Sequence, residues 1–439
     1  MSVLRSSLGV FATRIWGAFV GIVVSIIIAR TLGPEGKGIY SLLLLAPTLL
    51  VTFGNFGLNV SNVYFYGKRN ARAQDLAANS VWAALVFGLV ILALFIVAYP
   101  LLRERFFTDV PTSYLFAAVA TLPAMLLNQY MANLLLATKQ TRLFNWSNVL
   151  QLAVLLATAI FTLLIMKMGL AATVVIADLN VVIGAILMTI FYARTNHLSL
   201  RFKPQLFKET LIFGLKGYFA NVIQFLNYRV DMLIVSAFLG AAAVGFYSVA
   251  VNFAEVLWYV PTSIGTVLFP HVANSTNGSA NITTARVSRQ TFLLMGLASL
   301  AVAALAPWLV PLLFGQEFTP AIQALWYLLP GVLVFSIAKI IGNDFAGRGY
   351  VVTNGLVSAS ALILNIVINL LLVPRLGLIG ASLSSSISYT VATVMLIWLF
   401  AREAKVHWTR LVWPSRQDMS ELYGLARKPF AKPVKDSHA

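Results

Sequence analysis

Long apolar stretches, each close to the roughly 20 residues that a helix needs to cross a bilayer, follow one another along almost the whole chain. We number these stretches spans 1 to 12. They begin near Gly9, Gly38, Leu76, Tyr114, Trp146 and Leu170 in the first half, and near Gly217, Gly245, Thr291, Ala321, Val351 and Leu378 in the second. The pattern predicts an all-α integral membrane protein with twelve transmembrane helices.

The last six spans repeat the first six. Leu32-Gly33, four residues, then Gly38-Ile39-Tyr40-Ser41 returns at an offset of 207 residues as Leu239-Gly240, four residues, then Gly245-Phe246-Tyr247-Ser248. Because each copy has an even number of spans, both copies enter the membrane from the same side. The repeat predicts two six-helix lobes related by an axis along the membrane normal, with a central cavity between them.

Charge and proline positions divide the chain further. A basic stretch that contains Pro204 interrupts the apolar pattern between spans 6 and 7. We therefore predict an N-terminal lobe over residues 1–195, a cytoplasmic linker over 196–210, a C-terminal lobe over 211–401 and a basic tail over 402–439.

The composition agrees with a membrane protein and explains the charge. Hydrophobic residues make up 59% of the chain and charged residues 10%, whereas soluble domains carry about 25% charged residues. The net charge of +17 on its own would suggest a nucleic-acid partner. Most of the Lys and Arg residues, however, fall in the loops and tail on one side of the spans, which predicts that both termini are cytoplasmic. The excess charge thus reflects topology, and we expect no nucleic-acid partner.

Polar side chains recur on one face of several spans, chiefly spans 1, 2, 7 and 8. Polar residues inside a membrane usually face a cavity or another helix, so these faces predict a water-accessible cleft between the lobes. The alternatives are hydrogen bonds that only hold the bundle together and, for a cation near a span end, snorkelling to the headgroups. The candidate cavity residues are Arg14, Asn55, Asn59, Asn62, Asn221, Gln224, Tyr228, Arg229, Asn252, Tyr259 and Lys339.

Sites for catalysis are missing from the sequence. It has no cysteine and no Gly-x4-Gly-Lys-Ser/Thr loop, and its histidines are scattered without metal-ligand spacing. The loops on the less basic side are short and hold few carboxylates. We therefore expect a transporter and not an enzyme, with no cofactor.

Two segments carry a family resemblance. Residues 29–41, Ala-Arg-Thr-Leu-Gly-Pro-Glu-Gly-Lys-Gly-Ile-Tyr-Ser, resemble the opening signature of the Wzx-type polysaccharide flippases. Arg229-Val230-Asp231 with the block that follows resembles the second-lobe signature of that family. The family is a branch of the multidrug/oligosaccharidyl-lipid/polysaccharide exporter superfamily.

The resemblance implies a two-lobed flippase in the bacterial cytoplasmic membrane that moves an undecaprenyl-diphosphate-linked oligosaccharide between leaflets by alternating access. Its implied partners are this polyprenyl-linked glycan, membrane lipids and other biosynthesis proteins such as a polymerase. It also implies that Arg14, Arg229 and Lys339 hold the diphosphate or acidic sugars. Asp178, Asp231 and Glu255 are candidates for binding a coupling ion, and Asp231 and Glu255 are equally candidates for holding the arginines in place.

Three other interpretations remain open. A multidrug and toxin extrusion (MATE) antiporter shares the two-lobe plan but exports cations, for which a net acidic cavity is expected. A polymerase or ligase of the same glycan pathways would need larger outer loops, and a silent scaffold would have little reason to keep ionisable residues in paired spans.

Overall fold

The computed structural model describes the backbone of residues 2–68, 71–275 and 277–413, and within these ranges the side chains of all but residues 2–11, 14, 277 and 351. Every regular element in these ranges is helical. The α-helices are Ser2–Gly54, Leu58–Gly67, Ala73–Phe106, Thr112–Ala120, Leu122–Ala137, Thr141–Ala159, Ala171–Thr195, Pro204–Leu257, Tyr259–Ala273, Asn277–Phe314, Pro320–Gly347, Val351–Leu376, Leu378–Ala404 and Thr409–Val412. A π-helical turn, Ile160–Ile165, extends the sixth helix, and a 3-10 turn, Gln316–Phe318, precedes Pro320.

Ten helical stretches of the described chain are long and apolar enough to cross a membrane. Two of them are double, because the helices Ser2–Gly54 and Pro204–Leu257 each contain one residue with non-helical geometry, Gly33 and Gly240. Both glycines have positive φ angles, 68° and 81°, which L-residues with a side chain rarely adopt. Each glycine reverses the chain between two spans, so the ten stretches contain twelve spans as predicted.

The spans therefore have these bounds: span 1, 2–32; span 2, 34–67; span 3, Ala73–Phe106; span 4, Thr112–Ala137; span 5, Thr141–Ile165; span 6, Ala171–Thr195; span 7, 204–239; span 8, 241–273; span 9, Asn277–Phe314; span 10, Pro320–Gly347; span 11, Val351–Leu376; span 12, Leu378–Ala404. Spans 2 and 8 bend where one helix ends and the next begins, at residues 55–57 and at Trp258.

The structure confirms the internal repeat. Gly33 and Gly240, at the predicted offset, share the same backbone conformation, with ψ angles of −171° and −178°. Gly169 and Gly377, which the repeat pairs with one extra residue, have φ angles of 61° and 60°. The helices that contain the two glycine turns make the largest contact between any two elements, and this contact joins the lobes.

The two lobes touch most closely at a reciprocal backbone contact beside these turns. A Cβ atom on Gly38 would overlap the carbonyl oxygen of Ala241, and a Cβ atom on Gly245 would overlap the carbonyl oxygen of Pro34. Gly38 and Gly245 are repeat equivalents, and so are Pro34 and Ala241. The contact is therefore the same in both directions across the axis, and only glycine fits at its two centres.

Further contacts close this side of the molecule, which we call the opposite face because it lies away from both chain ends. Arg30 donates to the carbonyl oxygens of Leu312 and Leu313, and Ser236 Oγ donates to the carbonyl oxygen of Phe106 at 2.6 Å. Phe106 and Leu313 are repeat equivalents. Each lobe thus donates a hydrogen bond to the repeat-equivalent backbone carbonyl oxygen of the other lobe.

Carboxylates of each lobe also approach the turn of the other. Asp109 Oδ2 accepts from the N–H of Ala241 at 2.7 Å, at the start of span 8. A Glu317 carboxylate oxygen lies 3.3 Å from where a Cβ on Gly33 would be, at the start of span 2. Carboxylates stabilise helix N-termini, so these two residues strengthen the closed arrangement of the opposite face.

The other side, which carries the chain ends and most basic loops, is the basic face. Here span 2 lies against span 7: Ser61 Oγ donates to the carbonyl oxygen of Thr210 at 2.7 Å, and the Tyr218 hydroxyl donates to that of Phe53. A Cβ on Gly57 would overlap the Gly214 carbonyl oxygen. This seam holds the lobes together along one edge of the basic face.

The connection between the lobes is an extended strap. Asn79 accepts from the N–H of Lys203 at 2.8 Å and donates to its carbonyl oxygen at 3.1 Å, and Trp82 donates to the carbonyl oxygen of Leu200 at 2.9 Å. The strap covers residues 196–203, since residues 204–210 of the predicted linker form the first turns of span 7. Of the predicted tail, residues 402–404 complete span 12, a short helix follows at Thr409–Val412, and residues 414–439 lie outside the described part.

We predict that Gly38→Ala lowers the free energy of unfolding by about 1–3 kcal/mol, because the added methyl group meets backbone that cannot move aside. Gly245→Ala should have the same effect through the reciprocal contact. Gly21→Ala is the matched control, since it lies on the same helix and no atom lies within 4 Å of its Cβ position. Thermal unfolding in detergent measures all three. Equal melting temperatures for G38A and G21A would contradict the prediction.

Candidate functional site

An arginine–glutamate ion pair lies at the centre of the polar groups in the C-terminal lobe. Arg229 on span 7 bonds Glu255 on span 8 through two contacts, Nη1 to Oε1 at 2.8 Å and Nη2 to Oε2 at 3.2 Å. The two side chains remain 28% and 30% exposed. The paired geometry fixes the guanidinium group, and the partial exposure leaves it open to a ligand.

Asp231 is two residues further along span 7 and is buried. It accepts hydrogen bonds from the Tyr247 hydroxyl at 2.6 Å, from Ser385 Oγ at 3.2 Å and from the Met232 N–H at 2.8 Å. Asn365 Nδ2 donates in turn to Ser385 Oγ at 3.4 Å. This carboxylate thus connects spans 7, 8, 11 and 12 inside the lobe.

Lys339 of span 10 is held in an aromatic cage. Its Nζ lies 4.6 Å from the ring centroid of Trp258, 5.4 Å from that of Tyr228 and 5.6 Å from that of Phe335. The same atom donates to the Tyr228 hydroxyl at 3.4 Å, and Gln224 also donates to that hydroxyl, at 2.9 Å. Cation–π contacts at these distances stabilise an ammonium group without neutralising it.

A small cavity lies between the buried carboxylate and the ion pair. Its volume is about 10 Å³, and its walls include Tyr228, Asp231, Glu255, Trp258 and Tyr389. A space of this size holds about one water molecule. It therefore offers room for one small species beside two carboxylates.

This set of ionisable residues belongs to the C-terminal lobe. At the repeat offset, Arg229, Asp231, Glu255 and Lys339 correspond to Ile22, Val24, Thr48 and Ala132. In the N-terminal lobe Val24 and Tyr40 pack together in an apolar cluster at the place where Asp231 bonds Tyr247. The two lobes share a scaffold, and this charged site is built on one of them.

The asparagines of span 2 point largely into the N-terminal lobe. Asn55 Nδ2 donates to Gln129 Oε1 at 2.6 Å, and Asn62 Nδ2 donates to Ser80 Oγ at 2.8 Å. Asn59 Oδ1 accepts from the N–H of Val60 at 2.9 Å. Asn55 and Asn62 are buried, so their contacts correspond to the alternative in which such residues hold the bundle together.

Among the remaining polar residues of spans 7 and 8, three are exposed and one makes a contact across the lobe boundary. Asn221 and Gln224 are exposed on the face of span 7 that leads to Tyr228. Asn252 Nδ2 approaches Ser25 Oγ of span 1 at 3.4 Å, across the lobe boundary. Tyr259 is 43% exposed where span 8 bends.

Two predicted residues stand apart from this site. Asp178 lies in span 6 of the other lobe, and its buried Oδ1 has no hydrogen-bond partner among the residues that the structure describes. The structure thus brings Asp231 and Glu255 together but not Asp178. Arg14 lies on span 1, and its side chain is outside the described part.

Comparison with known proteins places this architecture in a family. The family model described as polysaccharide biosynthesis protein matches residues 3–276, more than half of the chain. The chain belongs to the polysaccharide biosynthesis protein family. This confirms the family expected from the two signature segments.

Relatives of this family member extend over nearly all of its length. A Shigella flexneri protein named "Putative O-antigen transporter" is 23% identical over 398 residues, which cover 87% of this chain and 93% of that protein. The solved structure of the lipid II flippase MurJ in an inward closed conformation has a TM-score of 0.78 at 14% identity and covers 98% of this chain and 94% of its own. An inward-facing MATE family transporter of the MOP superfamily has a TM-score of 0.68 at 16% identity, with 89% and 94% covered. These likenesses confirm the two-lobe fold.

Sequence reasoning missed the partners that complete the site in this family member. Tyr247 appears in the repeated block, but there its role as a donor to Asp231 is not visible because Tyr40 occupies the same position without a carboxylate. Ser385 belongs to a run of serines that indicates close helix packing. In the sequence, nothing distinguishes Trp258, Phe335 and Tyr389 from the other aromatic residues of the apolar spans. An aspartate sixteen residues before a repeated tyrosine is too common a pattern to identify such a pair.

We predict that Tyr247→Phe lowers the free energy of unfolding by about 1.5–3 kcal/mol, the usual contribution of a hydrogen bond to a charged group. Tyr40→Phe is the matched control at the equivalent position, since the Tyr40 hydroxyl has no hydrogen-bond partner among the described residues. Thermal unfolding of the two variants measures the difference. Similar melting temperatures would show that the Asp231–Tyr247 bond contributes little.

Proposed function

We propose that the protein is a flippase that carries an undecaprenyl-diphosphate-linked oligosaccharide across the bacterial cytoplasmic membrane, with the basic face and both termini in the cytoplasm. The observation that carries the proposal is the partly exposed Arg229 and the caged Lys339, each in contact with Tyr228, in a two-lobed membrane fold. The Shigella flexneri relative named as an O-antigen transporter and the structural likeness to a lipid II flippase support the same class of cargo.

The chemistry of the cargo explains these side chains. A diphosphate cannot cross hydrocarbon unaided, because a bare ion costs tens of kcal/mol to transfer on Born estimates. Arg229 offers a planar pair of N–H donors, and Lys339 adds a point charge. Glu255 keeps the guanidinium group of Arg229 oriented until the diphosphate takes the place of the Glu255 carboxylate. Asn221 and Gln224, which are exposed on the same span, supply hydrogen bonds to sugar hydroxyls.

Alternating access requires the opposite face to open while the basic face closes. The contacts that seal the opposite face are the close backbone contact at Gly38 and Gly245 and the hydrogen bonds from Arg30 and Ser236 to backbone carbonyl oxygens. Water can replace such bonds when the lobes separate. The hydrogen-bonded part of the seal is therefore reversible, and the free energy of cargo binding must exceed the net contribution of these bonds together with that of the Gly38–Gly245 contact.

A second candidate function is export of cationic compounds, as in MATE transporters. One feature of the site is compatible with this function. The two carboxylates, Asp231 and Glu255, balance the two cations, Arg229 and Lys339, so the four groups carry no excess positive charge that would repel a cationic substrate. A cation exporter is expected to use an acidic cavity, and here Glu255 is already paired with Arg229. This pairing favours the anionic cargo, and the sidedness experiment below separates the two functions.

For energy coupling, we propose that Asp231 is the position at which a proton or sodium ion binds. It is the buried carboxylate of the site, it borders the small cavity, and its hydrogen bonds reach spans 8 and 12 directly and span 11 through Ser385. Glu255 has the separate task of orienting Arg229. A change in the charge of Asp231 would therefore alter how spans 7, 8, 11 and 12 pack.

The leaflet that holds the polyprenyl-linked oligosaccharide tests the flippase proposal. After depletion of the protein, an impermeant glycan label on intact and opened cells, followed by lipid extraction, should show the cargo confined to the cytoplasmic leaflet. Re-expression of the wild-type chain should restore it to the outer leaflet. Unchanged sidedness, in a strain without a redundant flippase, would contradict the proposal and favour drug export.

Complementation in the same strain tests the ion pair. Arg229→Ala with Glu255→Ala removes both charges, so no unpaired charge is left, and should reduce transport at least about tenfold, as expected for loss of a charged hydrogen bond of about 1.5–3 kcal/mol. Arg375→Ala, an exposed arginine at the end of span 11, is the control and should transport normally. Normal transport by the well-expressed double variant would remove Arg229 from the site.

We also predict that Asp231→Asn binds cargo but no longer responds to an ion gradient, because the amide keeps the shape of the carboxylate and cannot take up a proton or balance a cation. Cargo flipping in proteoliposomes, with imposed proton or sodium gradients, measures this response. An undiminished response would show that the coupling ion binds elsewhere, with Asp178 as the next position to test.

A further inference from the structure

A large chamber on the basic face has no part in the proposed transport site. Its volume is about 930 Å³, within the range of small-molecule sites. Both lobes build it: the end of span 2, the start of span 3 and the end of span 4 come from the N-terminal lobe, and residues 203–206 and Glu209 come from the strap and the start of span 7. It is far larger than the cavity beside Asp231.

Two of the three cationic side chains of the chamber have no carboxylate as an ion-pair partner. The walls carry Arg72, Lys139 and Lys203 together with Asp75 and Glu209. Asp75 is bonded by Arg72 Nε at 2.9 Å, and Glu209 Oε1 accepts from the Gln205 amide at 2.9 Å. Among the described residues, neither lysine lies within ion-pairing distance of a carboxylate. The chamber therefore presents two ammonium groups without a carboxylate partner, Lys139 after span 4 and Lys203 at the end of the strap, and its three cations outnumber its two carboxylates.

Other groups at the walls are hydrogen-bond donors. The Tyr66 hydroxyl belongs to the polar face of span 2, and the helices Ala73–Phe106 and Pro204–Leu257 both begin at the chamber. N–H groups in the first turn of a helix have no intrahelical acceptor and favour anions. A neutral sugar would not need two unpaired ammonium groups. A phosphate group, with several acceptor oxygens and a double charge, matches this set of donors.

We propose that the chamber is a binding site for a phosphate-bearing group. The phosphate can belong to the headgroup of an anionic lipid in the adjacent leaflet or to a soluble or cargo-borne diphosphate, because both present the same oxygens. Lys139 and Lys203 bind the phosphate. Asn79 fixes the Lys203 backbone through two hydrogen bonds, so the point from which the lysine side chain extends into the chamber does not depend on the ligand.

A single reporter thiol tests the site. The chain contains no cysteine, so Ala137→Cys places the only thiol on the chamber wall and leaves its hydrogen bonds in place. The full-length protein in phosphatidylcholine nanodiscs is treated with an uncharged maleimide, with and without inorganic pyrophosphate. At ten times its Kd, pyrophosphate should slow the modification by about tenfold, since the free fraction falls as 1 + [L]/Kd rises.

Charge variants in the reporter background decide whether the lysines are responsible. Lys139→Asn with Lys203→Gln should abolish protection, and asparagine tolerates the positive φ of 61° at position 139. Lys208→Gln is the matched control, an exposed lysine in the first turns of span 7 that lies outside the chamber wall, and should keep protection. Equal protection in the double variant and the control would overturn the proposal.

A change in the lipid composition of the nanodiscs identifies the source of the phosphate. Nanodiscs that contain phosphatidylglycerol, without pyrophosphate, should slow the modification if the natural ligand is a lipid headgroup, and the double variant should remove this effect. Protection by pyrophosphate alone assigns the site to a soluble or cargo-borne diphosphate. If neither probe slows the reaction, the proposal is wrong. These measurements do not involve transport, so their outcome is independent of the flippase proposal.

Discussion

The close approach of two backbone segments around Gly38 and Gly245 is the contact on which the rest of the structure depends. Each glycine faces a carbonyl oxygen of the other lobe, and the glycine turns at Gly33 and Gly240 lie next to it. Because the contact is reciprocal, it places the two lobes symmetrically around one axis. The positions of spans 7 and 8, and hence of Arg229 and Glu255, relative to the first lobe follow from it.

The two lobes have the same arrangement of helices, but the charged residues of the site lie in only one of them. One lobe carries Arg229, Asp231, Glu255 and Lys339, and the other has apolar or uncharged residues at the equivalent positions. Burial of a charge in a membrane protein is costly unless hydrogen bonds or an opposite charge compensate. Tyr247 and Ser385 supply that compensation for Asp231, and the aromatic cage supplies it for Lys339. A single charged site therefore needs a dedicated set of partners in its own lobe.

The repeat, the twelve spans and the polar stripes could be predicted because they are periodic. A stripe on one helix does not show which of its members faces a cleft. Asp231 shares its stripe with Gln224 and Tyr228, yet it is buried because Ser385 approaches from span 12. Asn55 and Asn62 likewise turn to partners within their lobe. The chamber on the basic face could not be predicted, because its walls come from separate segments that only the folded chain brings together.

Transport of the cargo requires the two lobes to separate at the opposite face, and a distance measured across that face tests this motion. Glu104 and Gln316 are exposed on different lobes at that face, and the cysteine-free chain permits one spin label at each. Double electron–electron resonance in nanodiscs should give one short distance without cargo and an additional longer distance once polyprenyl-diphosphate oligosaccharide is added. A single unchanged distance, in protein that transports the cargo, would contradict the account.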